Sequence, residues 1–189
     1  MTRKGAGHQR GDTLGPTDPR LLGNPLDFLA EDHLRERQIC AEMDQLGGSQ
    51  RADPDLLADI LNFLIEELPM HLADEEQDLF PMMVMRCEPE DEIERVIARL
   101  QADHIHAKAD TGMLIQALRA AQGTQSPIGP AAATKFSEFA GQARRHLILE
   151  NAIVLPIARK RLKPRDLDLM RANMMARRGL DRIFEASGC

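Results

Sequence analysis

The sequence predicts an all-α protein: an antiparallel up-down-up-down four-helix bundle with an extra C-terminal helix. Three observations lead there. The chain has no Trp, no Tyr and only six Phe, so its core must come from Leu, Ile, Val, Ala and Met, a palette that serves helices better than strands. Apolar residues recur at three- and four-residue steps through long segments. Short breaks rich in Gly, Pro and acidic residues separate those segments, which makes consecutive helices antiparallel neighbours.

Residues 1–24 carry five Gly and two Pro without periodicity and read as a flexible lead-in. Asn24 followed by Pro25 is an N-cap followed by a first-turn proline. From there Leu26, Leu29, His33, Cys40, Met43 and Leu46 mark one helical face until Gly47 and Gly48 stop it. Asp53 and Pro54 open a second helix that runs to about Arg86, and Glu88-Pro89-Glu90 makes a short turn. A third helix continues to about Ala121, and Gln122 to Pro130 is loop by composition. The fourth spans about Ala131 to Arg161, and Pro164 opens a shorter basic helix. The bundle is thus expected over residues 25–162, with 163–189 as a basic helix and tail.

Composition excludes several function classes. A formal net charge of −6 lacks the basic footprint of a nucleic-acid binder. Cys40, Cys87 and Cys189 are odd in number, far apart and form no C-x-x-C, so they read as free thiols in a reducing compartment. No secretory signal follows the charged N-terminus and no apolar run reaches membrane-spanning length, so a soluble cytoplasmic protein is expected. The chain contains no E-x-x-H of the ferritin-like carboxylate bundles and no H-E-x-x-H. Without Tyr there is no tyrosyl radical.

The histidines carry the functional signal. Each of the four helices holds at least one, and two begin a repeated phrase, H-L-x-x-E-x-x-x-x-x-P, from His71 through Glu75 to Pro81 and from His146 through Glu150 to Pro156. Residues four apart share a helical face, so each His and Glu can reach one inward point. Distance from the turns supplies an independent check: His33, His71, His104 and His146 all lie about 13 to 17 residues from their connecting turns, level to within about one helical turn. Four imidazoles and two carboxylates exceed the needs of one ordinary metal, while two metals bridged by the carboxylates use them all. Imidazole with carboxylate and no thiolate suits iron or manganese better than structural zinc. Glu75 sits within an acidic run that otherwise reads as solvated surface, whereas Glu150 is set among Leu147, Ile148, Leu149, Ile153 and Val154. Pro81 and Pro156 read as kinks or helix ends below the site.

Over roughly residues 25–162 the sequence resembles the hemerythrin-like, or HHE cation-binding, family. The resemblance rests on EDHLRER (Glu31 to Arg37), HLADEEQDLFP (His71 to Pro81), ADHIHAK (Ala102 to Lys108) and HLILENAIVLP (His146 to Pro156). It implies the ligands His33, His71, Glu75, His104, His146 and Glu150 around a non-haem centre of two iron ions, binding O₂ or a related small ligand. One departure stands out: the oxygen carriers have a second His one turn after the third-helix ligand, and here that residue is Lys108. Glu36, one turn after His33, is a candidate extra ligand, with a solvated surface charge as its plainer reading. Lys108 is a candidate cation beside a bound anion. His8 and His106 are left out, the latter because a two-residue offset from His104 turns it away.

Three functions are open at this point. The first is a di-iron protein binding O₂, NO or peroxide for sensing, buffering or detoxification. The second is an enzyme that reduces NO or peroxide, and the third an interaction module in which metal only holds the bundle together. Iron–sulfur repair ranks lower, because residues 1–24 contain no Cys. The expected partners are a small diatomic or peroxide ligand, with no nucleic acid and no membrane, on a monomer or homodimer.

Overall fold

Asn24 opens the first long helix. Its side-chain oxygen accepts from the backbone N–H groups of Leu26 and Asp27, and Pro25 takes the position where a missing N–H costs nothing. The computed structural model describes residues 15–46 and 53–181, and this helix, α1, spans Pro25–Gln45. Asp53 caps the second in the same way, accepting from the Asp55 N–H at 2.9 Å. That helix, α2, runs without interruption over 54–86.

A single 3₁₀ turn, Pro89–Asp91, leads into α3, Ile93–Thr124. The third helix passes its expected end at Ala121 and stops where Gln125 turns left-handed at φ 51°. After a short loop, α4 covers 130–161 and α5 covers Pro164–Arg177. Among the described residues there is no strand, and no helix is long and apolar enough to cross a membrane.

The prolines end neither helix: α2 and α4 continue through Pro81 and Pro156, in keeping with the expected extents to Arg86 and Arg161. Each helix widens just upstream into a π segment: Glu75–Leu79 and Glu150–Val154, with a third at Phe63–Glu67. In each segment the amide five residues on bonds back to its first carbonyl, as Phe80 does to Glu75 and Leu155 to Glu150. A proline follows two residues after every one, at 69, 81 and 156. An in-helix proline lacks an N–H and presses on the carbonyl four residues back. The wider turn rearranges that carbonyl and lets the helix go on.

The four long helices enclose two apolar clusters. One gathers Leu26, Leu29, Leu79, Phe80, Leu100 and Val154, and the other Ile39, Met43, Leu64, Leu114, Phe136 and Phe139. Helix α1 packs along α4, and α3 along both α2 and α4. Arg35, only 2% exposed, ties α1 to α2 through Asp59 and Glu67.

Helix α5 lies against α1 and α2. Its Arg177, with Arg178 just past its end, grips the buried Asp74, Arg177 and Asn173 also hold Asp78, and Arg178 stacks over the Phe28 ring. Upstream, Arg159 pairs with Asp27 and Arg161 with Asp91. Much of the basic C-terminal stretch is therefore engaged within the chain.

Candidate metal centre

Between the two apolar clusters lies a level of buried ionisable side chains. His33 comes from α1, His71 and Glu75 from α2, His104 from α3, and His146 and Glu150 from α4. Each is at most 7% exposed. The spacing of four puts each His and its Glu on one face, and each Glu begins a π segment.

The side chains form two sets that share the carboxylates. Nitrogen and oxygen atoms of His33, His71, Glu75 and Glu150 lie within 4.8 Å of one another, and so do those of His104, His146, Glu75 and Glu150. Glu75 Oε1 stands 3.8 Å from His33 Nε2 and 3.6 Å from His71 Nε2, while its Oε2 is 3.3 Å from His104 Nε2. Glu150 divides in the same way: Oε2 is 3.3 Å from His33 Nε2 and Oε1 is 3.1 Å from His146 Nε2. Each carboxylate thus presents one oxygen to each set. All six residues singled out in the sequence meet here.

The polar groups are poorly satisfied by protein alone. Both oxygens of Glu75, both of Glu150, both nitrogens of His33 and Nε2 of His71 are buried without a hydrogen-bond partner. Orphans of this kind are rare in folded proteins and call for a ligand. His104 and His146 bring their Nε2 atoms to 3.2 Å, a separation at which two neutral imidazoles can share only one proton. A cation among these donors would satisfy the carboxylate oxygens and the Nε2 atoms that face them, so the donors fit a metal.

Electrostatics follow from the burial. Desolvation and the nearby Glu75 charge push the Glu150 carboxyl well above the ordinary range. For Glu75 burial acts in the same direction, but the His71 charge and the facing His104 and His33 rings outweigh it and hold the group low. His71 rises well above its usual value, because Glu75 and Asp32 overcome the cost of burying its cation.

The other candidates separate clearly. Glu36 is buried at 6% exposure, with Oε2 3.9 Å from His71 Nε2. It is no solvated surface charge. It lines a cavity of about 30 Å³ with His71, His104, His146 and Phe139. Lys108 is half exposed and pairs with Glu76 at 2.7 Å, on the outer side of His104. His106 is exposed, and His8 lies outside the described residues. Sequence reasoning left Glu76 in the solvated acidic run, yet its Oε1 lies 2.8 Å from His104 Nδ1. The spacing between Glu76 and Lys108 across two helices gives no local signal.

The sequence model of the hemerythrin HHE cation binding domain matches residues 24–158. The chain belongs to the hemerythrin HHE cation-binding family. The match contains all six residues of the buried level and both H-x-x-x-E phrases. Comparison with curated proteins and with solved structures returns no match. As an HHE domain the chain is built around a cation site, and the His and Glu cluster is where a metal ion fits.

Proposed function

We propose that this HHE domain is a non-haem di-iron protein that binds O₂, NO or peroxide for sensing, buffering or detoxification. His33 and His71 would hold one ion, His104 and His146 the other, and Glu75 and Glu150 would bridge them. One observation carries this reading: each carboxylate directs one oxygen to each pair of histidines. A single ion cannot use that arrangement, whereas two ions use every donor. The reading includes helices of alternating direction, which bring the two H-x-x-x-E phrases to one level. Manganese suits the same nitrogen and oxygen donors.

Bound iron supplies open coordination and redox chemistry toward small ligands. The protein's part is to fix the donors and restrict what reaches them. The cavity of about 30 Å³ beside His71, His104 and His146 has room for about one water-sized molecule. Its wall includes the Glu36 carboxylate, whose Oε2 lies 3.9 Å from His71 Nε2, on the side of the His33 and His71 pair. Apolar Phe139, Leu68 and Leu72 narrow it, and Asp103 and Gln142 add polar groups to the lining.

Elemental analysis of protein purified without oxygen tests the proposal, followed by a visible spectrum on exposure to air or NO. Two irons per chain and a new absorption band on exposure are expected. Protein that takes up neither iron nor manganese would overturn it. Steady-state consumption of NO or peroxide with a reductant would move the reading to an enzyme.

A further inference from the structure

Two consecutive glutamates hold the two nitrogens of one imidazole. Glu75 Oε2 is 3.3 Å from His104 Nε2, and Glu76 Oε1 is 2.8 Å from His104 Nδ1. In an ordinary α-helix neighbouring side chains diverge too far to serve one ring. Both residues sit at the start of the π segment Glu75–Leu79, where the wider turn alters their directions. Phe80, stacked on the imidazole with centroids 5.7 Å apart, restrains the plane of the ring.

This contact sets His104 apart from the other histidines. Asp32 Oδ2 is 3.4 Å from His71 Nδ1, while His146 Nδ1, 3.6 Å from Asp103 Oδ2, and His33 Nδ1 have no hydrogen-bond partner. Lys108, one turn beyond His104, gives its ammonium to both Glu76 oxygens at 2.8 and 2.7 Å. The chain running from solvent inward is thus Lys108, Glu76, His104.

We propose that Glu76 is a positioning residue for His104 and that Lys108 is its opposing counter-ion, the two together setting the donor strength of that imidazole. The inference rests on the metal-centre reading above. Glu76 accepts the Nδ1–H, which fixes the tautomer with Nε2 bare and makes that nitrogen a stronger donor to a metal. Lys108 draws on the same carboxylate and tempers the effect. Removing either residue therefore has opposite consequences. Loss of the Glu76 charge weakens the His104 donor, and loss of the Lys108 charge strengthens it.

The test uses the full chain as wild type, Glu76→Gln and Lys108→Met. Mn²⁺ affinity is measured against a competing chelator, the midpoint potential on the iron-loaded protein, and the His104 tautomer by ¹⁵N NMR on metal-free protein. Glu76→Gln should lose about 10-fold in affinity, toward the lower end of such outer-shell effects, and raise the potential. Lys108→Met should bind at least as tightly as wild type and lower the potential. The NMR spectrum of wild type should show His104 protonated on Nδ1, with that preference weakened in Glu76→Gln.

Wild type that binds metal while both variants match it within about two-fold would overturn this inference and leave the metal-centre reading intact. So would both variants weakening together with an unmoved potential, because that is what a merely structural pair would do. Wild type that binds neither metal overturns both proposals.

Discussion

Replacing Glu150 by Gln should stabilise the metal-free protein and weaken metal binding at once. Glu150 is 1% exposed, neither oxygen has a hydrogen-bond partner, and the Glu75 carboxylate stands beside it. A buried unsatisfied polar group costs about 1–3 kcal/mol, more when charged. An amide of the same shape avoids the charged part of that cost. A gain of about 1–3 kcal/mol raises the melting temperature by roughly 2–12 °C in a chain of this size. The sign with pH follows from the raised pKa. A carboxyl with a higher pKa folded than unfolded takes up its proton preferentially in the folded state, so metal-free wild type loses stability as pH rises above about 4.3. The variant has no such loss. Its advantage should be near zero at about pH 4 and grow toward neutrality. Melting curves in chelator across that range measure the first effect, and Mn²⁺ titration measures the second. If Glu150→Gln melts below wild type in chelator at neutral pH, Glu150 is a structural hydrogen-bonding residue and the argument fails.

Removing metal should leave the helices intact, because both apolar clusters are closed without it; far-UV circular dichroism in chelator checks this, and a collapse of helicity would favour metal as a staple. The double substitution of Arg177 and Arg178 by Ala should cost about 3–5 kcal/mol in urea denaturation, since it strands the buried Asp74 carboxylate. Pro156→Ala should allow the π segment at Glu150–Val154 to relax to α-helix, so metal affinity should fall by about 10-fold while metal-free stability holds or rises; unchanged affinity would detach the proline from the site. Cys40, whose thiol is pushed up to about 12 by burial and the Glu36 charge, should resist alkylation at pH 8 while partly exposed Cys87 reacts, as peptide mapping would show.

What could be read from the sequence was what depends on near neighbours. The pairing of Asn24 with Pro25 and of Asp53 with Pro54 marks helix starts within a few residues, and both caps form. The spacing of four between His71 and Glu75, and between His146 and Glu150, fixes a shared face regardless of what lies opposite. The π segments were hidden because their cause is a conflict between a proline and a carbonyl one turn back, which composition shows only as a break. Glu76 looked like surface because it sits among acids, and its role depends on α3. The same holds for Arg178, which finds Asp74 across 104 residues of chain. Glu36 was misread for a related reason: helix spacing gives the face, but burial depends on how closely α1 meets its neighbours.

The placement of the polar level explains why the fold tolerates it. Along α1 the buried apolar contacts at Leu29 resume at Ile39, and along α4 those at Ala140 resume at Val154. At 1.5 Å per residue, the site interrupts the core for roughly 15–21 Å, with a closed apolar cluster on either side. Those clusters hold the helices in register without help from the six ionisable groups. The level between them can therefore carry what would be ruinous spread through the core: orphaned carboxylate oxygens, two imidazoles nose to nose, and two widened turns ahead of prolines. Defects that coincide at one height, on all four helices, are hard to explain as tolerated error. The orphaned oxygens and the facing imidazoles share one remedy, a cation among the carboxylates and histidines, and natural proteins concentrate such local conflicts where function needs them.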